Sequence, residues 1–323
     1  MDEDNSQLNS TIIDSLKIEL MFFVVFAHVC GVNFSNHCNV LLYDFFYTFH
    51  MPLFIFISGY LTHCSSKKKL FQRIVRLVET YCVFQFIRIC LSHDFLITSI
   101  LTPKSSLWYL LSLFYWRLSC YFISTYFSRK RFKIVLVVAS ILCLLIGYIN
   151  VGTILSFQRT FSFAPFFFLG YYLQDREIFA IIKSKSKLFS IIIIVCNIVA
   201  LVLINKNLSI YLHQSYPYIE YSFNIYMSPF VKALILVDSF LMSYAFANIL
   251  PTIKFKHRVD TLIIYVFHYF FVDIYAIAHF PSHPLLCLSY SVVVFIILYY
   301  LHSNKMLLFI CNPISKTIEK MLG

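Results

Sequence analysis

Ten apolar runs, separated by short polar segments, decide what this chain can fold into. They lie at approximately 17–34, 41–62, 77–97, 107–127, 134–150, 157–173, 188–204, 229–249, 259–280 and 285–302. A helix needs about twenty predominantly apolar residues to cross the hydrocarbon core of a bilayer. Over the whole chain 60% of residues are hydrophobic and 13% are charged. A soluble domain is about half apolar and about a quarter charged. An ordinary soluble domain and a disordered chain are both excluded, and the alternating pattern of a membrane barrel does not occur. The expectation is an all-α polytopic membrane protein of about ten transmembrane helices, forming a single membrane-embedded domain over residues 1–323.

The net charge of +11 would suggest nucleic acid in a soluble protein. Here the basic residues alternate with the apolar runs. One set of segments carries Lys17; then Lys67, Lys68, Lys69, Arg73 and Arg76; then Arg129, Lys130, Arg131 and Lys133; then Arg176, Lys183, Lys185 and Lys187. The same set continues with Lys254, Lys256 and Arg258, and ends with Lys305, Lys316 and Lys320. The intervening segments carry Lys104 and Lys206 only. Basic residues gather on the cytoplasmic side of membrane proteins, so both termini are expected inside and no nucleic-acid partner is expected. The acidic opening MDEDNSQLNS lacks the positive start of a secretory signal, so the first run is expected to be a retained helix. Ten cysteines show no CxxC and no paired Cys/His spacing, so no metal is expected.

Charged residues inside the runs are expensive and therefore informative. On this topology Asp44, Arg88, Arg159, Lys232, Asp238 and Asp273 fall in the outer half of the membrane, with His28 and His50 beside them and His268 near the middle. Structural ion pairs and a polar cavity open to the outside are the two readings. The tyrosine-rich segment 205–228, which also holds His213, suits either an interfacial belt or stacking on sugar rings. Lys17 and His28 are eleven residues apart, almost three helical turns, which puts them on one face about 16 Å apart. Arg73 and Arg76 are three apart and face the same way; they serve either as positive anchors or as phosphate ligands. The stretches PLFIFISGYL and PFFFLGYYL, at Pro52 and Pro165, each place a helix-disturbing Pro ahead of Gly-Tyr.

The run IDSLKIELMFFVVFAHV followed by FYTFHMPLFIFISGYL resembles acyltransferase family 3, a family of integral membrane proteins. Lys17 and His28 match its basic residue and histidine, Phe49–Gly59 its second-span signature, and Arg73 with Arg76 its RxxR. WYLLSLFYWRL at Trp108, RTFSFAPFFFLGYYL at Arg159 and YVFHY at Tyr265 look like the fucose 4-O-acetylase-like branch.

That resemblance implies transfer of an acetyl group from acetyl-CoA to a hydroxyl of a carbohydrate, a cell-surface or lipid-linked glycan, at the plasma membrane of a bacterium. It implies His28 as the catalytic base, with an acyl-histidine intermediate as the variant. Lys17, Arg73 and Arg76 would hold the CoA phosphates, and His50, Arg159 and His268 would bind the acceptor or stabilise the oxyanion. A secondary transporter for a small anion and a glycan polymerase or flippase are the alternatives.

Overall fold

The computed structural model describes residues 2–63, 67–126, 132–204, 208–255, 259–281 and 283–311. Among them no strand forms. Of the basic residues that set the expected topology, Arg129, Lys130, Arg131, Lys206, Lys256, Arg258, Lys316 and Lys320 lie outside the described residues. The helices are α1 (Asp2–Cys30), α2 (His37–Tyr60), α3 (Lys67–Ser92), α4 (Ile97–Leu101), α5 (Trp108–Tyr126), α6 (Phe132–Leu145) and α7 (Phe157–Leu173). They continue with α8 (Ile178–Lys183), α9 (Lys187–Ile204), α10 (Ser209–Leu212), α11 (Ser228–Ile249), α12 (Thr261–Ile277), α13 (Pro284–Leu301) and α14 (Lys305–Cys311).

Each apolar run lies on one of the longer helices. By length and composition α2, α9, α11 and α13 can each cross a membrane, while Phe132–Tyr148 and α12 are apolar but shorter. α9 makes the physical case most plainly. Its mean hydropathy is 2.8, yet Leu188, Ile192, Val195, Val199 and Leu203 are all exposed. Water does not tolerate so continuous an apolar face, and lipid does. A polar hold on this helix is internal: Asn197 Nδ2 donates to both carboxylate oxygens of Asp238 on α11, at 3.1 and 2.9 Å.

Two helices run beyond the expected spans. α1 begins at Asp2, because no Gly or Pro interrupts the polar opening and Asp14 pairs with Lys17 one turn on, at 3.5 Å. α3 begins at Lys67, ahead of the apolar run, so Arg73 and Arg76 sit on the helix itself. α6 falls short. It gives way to a 3₁₀ turn at Ile146–Tyr148, where Gly147 leaves room for the Tyr218 ring; a Cβ there would lie 2.4 Å from that ring.

The helices gather into two compact units. The first comprises Met1–Ile57, Asp175–His213 and Phe230–His302. α1 is its centre, packed on α12, α13 and α8, with Leu16, Leu20, Met21, Val25 and Ala27 sealed from solvent. Phe23 meets Phe46, Phe49 and Phe246, and the rings of Phe49 and Phe246 lie face to face. α8 is strapped down at both ends. Asn9 Oδ1 accepts from the backbone N–H groups of Phe179 and Ala180, each at 3.2 Å. Lys183 Nζ donates to the carbonyls of Asn248 and Leu250 at the end of α11. Losing a helix cap costs about 0.5–2 kcal/mol, so Asn9→Ala is expected to lower the melting temperature of the purified protein measurably. An unchanged melting temperature would mean that α8 docks without Asn9.

The second unit comprises Ser58–Gln174, Gln214–Pro229 and Ser303–Gly323. α7 packs on α6 and α5, α5 on α3, and α3 on α14. Trp116 Nε1 donates to the Thr160 carbonyl at 3.0 Å, and Thr80 Oγ1 donates to the Cys311 carbonyl at 2.8 Å. Gly59 abuts the α7 backbone: a Cβ there would lie 2.0 Å from the Phe167 carbonyl oxygen.

Candidate active site

The first unit collects imidazoles and phenols around the end of α1. His28 sits in its last turn, half-buried. Its ring stacks on His268 with centroids 5.3 Å apart and meets Tyr269 edge-on at 5.2 Å and Tyr47 edge-on at 6.2 Å. Tyr47 in turn stands edge-on to His50 at 4.6 Å and to His213 at 4.9 Å. Tyr43 stacks on Tyr47 at 4.2 Å, and its hydroxyl hydrogen-bonds His213 Nε2. His213 is brought here by a long-range contact: Asp44 Oδ2 accepts from the backbone N–H of Leu208 at 2.8 Å, just before α10.

Local helix geometry fixes two of these rings. Nδ1 of His50 donates to the Phe46 carbonyl one turn back, at 2.5 Å. Nδ1 of His268 donates to the Tyr265 carbonyl at 2.6 Å. A neutral imidazole that donates from one nitrogen keeps its lone pair on the other. Both rings therefore present Nε2 as an acceptor, and both are wholly buried. The His50 Nε2 is sealed with no hydrogen-bond partner among the described residues. His28 differs in being accessible, so it is the imidazole of the three that a solute can reach.

The arrangement supplies neutral proton acceptors, phenolic donors and aromatic faces within one unit. Of the residues expected to form the site, it brings together His28, His50 and His268. Lys17 shares α1 with His28, is partly exposed, and carries the Asp14 contact. Tyr47, Tyr269, Tyr43 and His213 are additions. Tyr47 precedes His50 by one turn and Tyr269 adjoins His268, a signal present in the sequence but hidden among 23 tyrosines.

The expected arginines belong to the second unit. Arg159, in the first turn of α7, lies over the Trp108 ring at 4.8 Å and donates from Nη2 to Ser215 Oγ at 3.4 Å. Arg73 is exposed and Arg76 half-buried, one turn apart on α3. His63, beyond the end of α2, is held below the usual histidine range, first by burial and then by the charge of Arg73. Among the described residues, no three or more His, Cys, Asp or Glu side chains are grouped to hold a metal ion.

A family model described as an acyltransferase domain matches residues 11–303. The chain belongs to acyltransferase family 3. The match begins within α1 and runs through the end of α13, so every side chain of the imidazole cluster falls inside it. Comparison with curated proteins and with solved structures returns no match. Family and apolar helices agree on a membrane acyltransferase. The imidazole cluster around the end of α1 presents one accessible ring, that of His28.

Proposed function

We propose that the protein is an O-acetyltransferase of the fucose 4-O-acetylase-like branch, moving an acetyl group from acetyl-CoA to a hydroxyl of a cell-surface or lipid-linked glycan. The observation that carries this reading is His28: one accessible imidazole beside two buried ones whose tautomers the backbone fixes. The neutral ring takes the proton of the acceptor hydroxyl as its oxygen attacks the thioester carbonyl. The carbon–sulfur bond then breaks, and the imidazolium returns the proton to the departing CoA thiolate. Tyr47 and Tyr269 offer ring faces and phenol groups to the sugar, with the buried His50 ring behind Tyr47. His268 supports the His28 ring, and Arg159 serves the acceptor or the oxyanion. Lys17, Arg73 and Arg76 hold the CoA phosphates.

The chain would cross the plasma membrane of a bacterium ten times, with both termini in the cytoplasm, where acetyl-CoA is made available. Cysteine probes placed at Lys104 are expected to react with an impermeant maleimide from outside intact cells, and probes at Lys185 are not. Outside labelling at Lys185 would reverse the orientation and take the CoA site off the cytoplasmic face.

The purified protein, given acetyl-CoA and a carbohydrate acceptor, is expected to release free CoA thiol in proportion to acetylated product. A transporter would release none. Thiol release without an acetylated product would leave a hydrolase and remove the glycan acceptor.

A further inference from the structure

Two neighbouring residues of α2 take hold of both ends of α10, within the first unit. Asp44 Oδ2 accepts from the backbone N–H of Leu208, just ahead of α10, at 2.8 Å. The Tyr43 hydroxyl hydrogen-bonds Nε2 of His213, just past its end. Between the two holds α10 is a closed turn. The Leu212 N–H donates to the Leu208 carbonyl at 3.0 Å, and the His213 N–H donates to the Ser209 carbonyl at 2.9 Å. His213 is therefore fixed at its backbone and at the tip of its ring.

Apolar packing already anchors this turn, because Tyr211 and Leu212 are both buried. Burial is non-directional, whereas hydrogen bonds fix orientation. Asp44 is also an expensive choice of partner: it is a carboxyl group only 1% exposed in an apolar helix. The polar clip aims α10, and what it aims is a ring against Tyr47. His213 stands edge-on to Tyr47 at 4.9 Å, Tyr43 stacks on Tyr47 at 4.2 Å, and His50 stands edge-on to it at 4.6 Å. Tyr47 is thus gripped by three rings, and it meets the accessible His28 ring edge-on at 6.2 Å.

We infer that Tyr43, Asp44 and His213 are positioning residues that act through Tyr47, setting its ring as the wall that places the acceptor sugar beside His28. This rests on the proposed function, in which His28 takes the proton of the acceptor hydroxyl. Transfer needs the attacking oxygen about 3–3.5 Å from the carbonyl carbon, so a wall free to tilt loosens the acceptor. Acetyl-CoA is spared, because Lys17, proposed to hold it, lies almost three helical turns from His28 along α1.

The detergent-purified full chain is assayed with acetyl-CoA and, as acceptor, surface glycans isolated from cells lacking the protein; melting temperature is followed in parallel. Tyr43→Phe keeps the ring on Tyr47 and loses only the hydroxyl. Asp44→Leu keeps the volume and loses the acceptor for the Leu208 N–H, which Asp44→Asn retains. Tyr43→Phe and Asp44→Leu are each expected to raise KM for the glycan about three- to tenfold, the effect of one lost hydrogen bond, with KM for acetyl-CoA unchanged. Asp44→Asn is expected to restore the native KM. If Asp44→Leu does not fold, Tyr43→Phe decides. A clip that serves the fold alone would lower kcat and melting temperature and leave both KM values as they are. That result, equal rises in both KM values, or Asp44→Asn as impaired as Asp44→Leu overturns the inference. Variants that match a native protein active on the glycan overturn the clip and leave the proposed function standing. Native protein that acetylates none of the glycan overturns the proposed function, and the inference with it.

Discussion

His28→Ala and His28→Gln are both expected to lower acetyl transfer by about 10²–10⁴-fold, the usual loss when a general base is removed. The alanine variant also deletes ring packing against His268, Tyr269 and Tyr47, so a loss there has a structural component. Glutamine separates the two effects. It fills much of the same space and hydrogen-bonds, yet cannot accept a proton at neutral pH. If both variants are inactive at matched protein level and melting temperature, His28 acts through its proton chemistry. Activity retained by the glutamine variant would reduce His28 to a packing residue and shift the base to another ring. His50 and His268 are poor candidates because each is wholly buried with Nδ1 committed to a backbone carbonyl.

Gly59→Ala is expected to be among the most damaging substitutions to the fold. The added methyl would fall 2.0 Å from the Phe167 carbonyl oxygen and 2.8 Å from its carbon. Both are main-chain atoms, so no rotamer change relieves the clash, and the end of α2 must move away from α7. Overpacking costs about 1–3 kcal/mol where side chains can adjust, and more where they cannot. The expected result is a large fall in melting temperature or in recovered folded protein. Gly152→Ala is the control: a Cβ there has nothing within 4 Å, and the price is only that of its positive φ of 55°. Equal behaviour of the two variants would mean that the close approach of α2 and α7 is not a feature of the folded protein.

Much of this was legible in the residues. The helices follow the apolar runs because 6 glycines and 9 prolines leave few places to break. An apolar run marks where a helix meets lipid, not where the helix begins. The Asp2–Asn9 opening and the Lys67–Arg76 stretch are polar yet helical, since charged side chains favour helix once nothing interrupts it. Gly147 ended α6 early for the sake of a ring, Tyr218, that arrives from some seventy residues away; spacing within one helix cannot reveal that.

The site divides the same way. His28, His50 and His268 stand out as imidazoles in apolar helices. His213 does not, because it depends on Asp44 holding Leu208 across a long stretch of sequence. Asp238 shows the opposite outcome. Its charge suggested a cavity or an ion pair, and the Asn197 amide meets it directly.

The central claim is that His28 drives transfer of acetyl groups to a glycan hydroxyl. Mass spectrometry of surface glycans from cells carrying the native protein, the His28→Gln variant or neither tests it most directly. One added acetyl group per modified sugar is predicted with the native protein, and none in the other two. Equal acetylation in all three, or undiminished acetylation by His28→Gln, would contradict it.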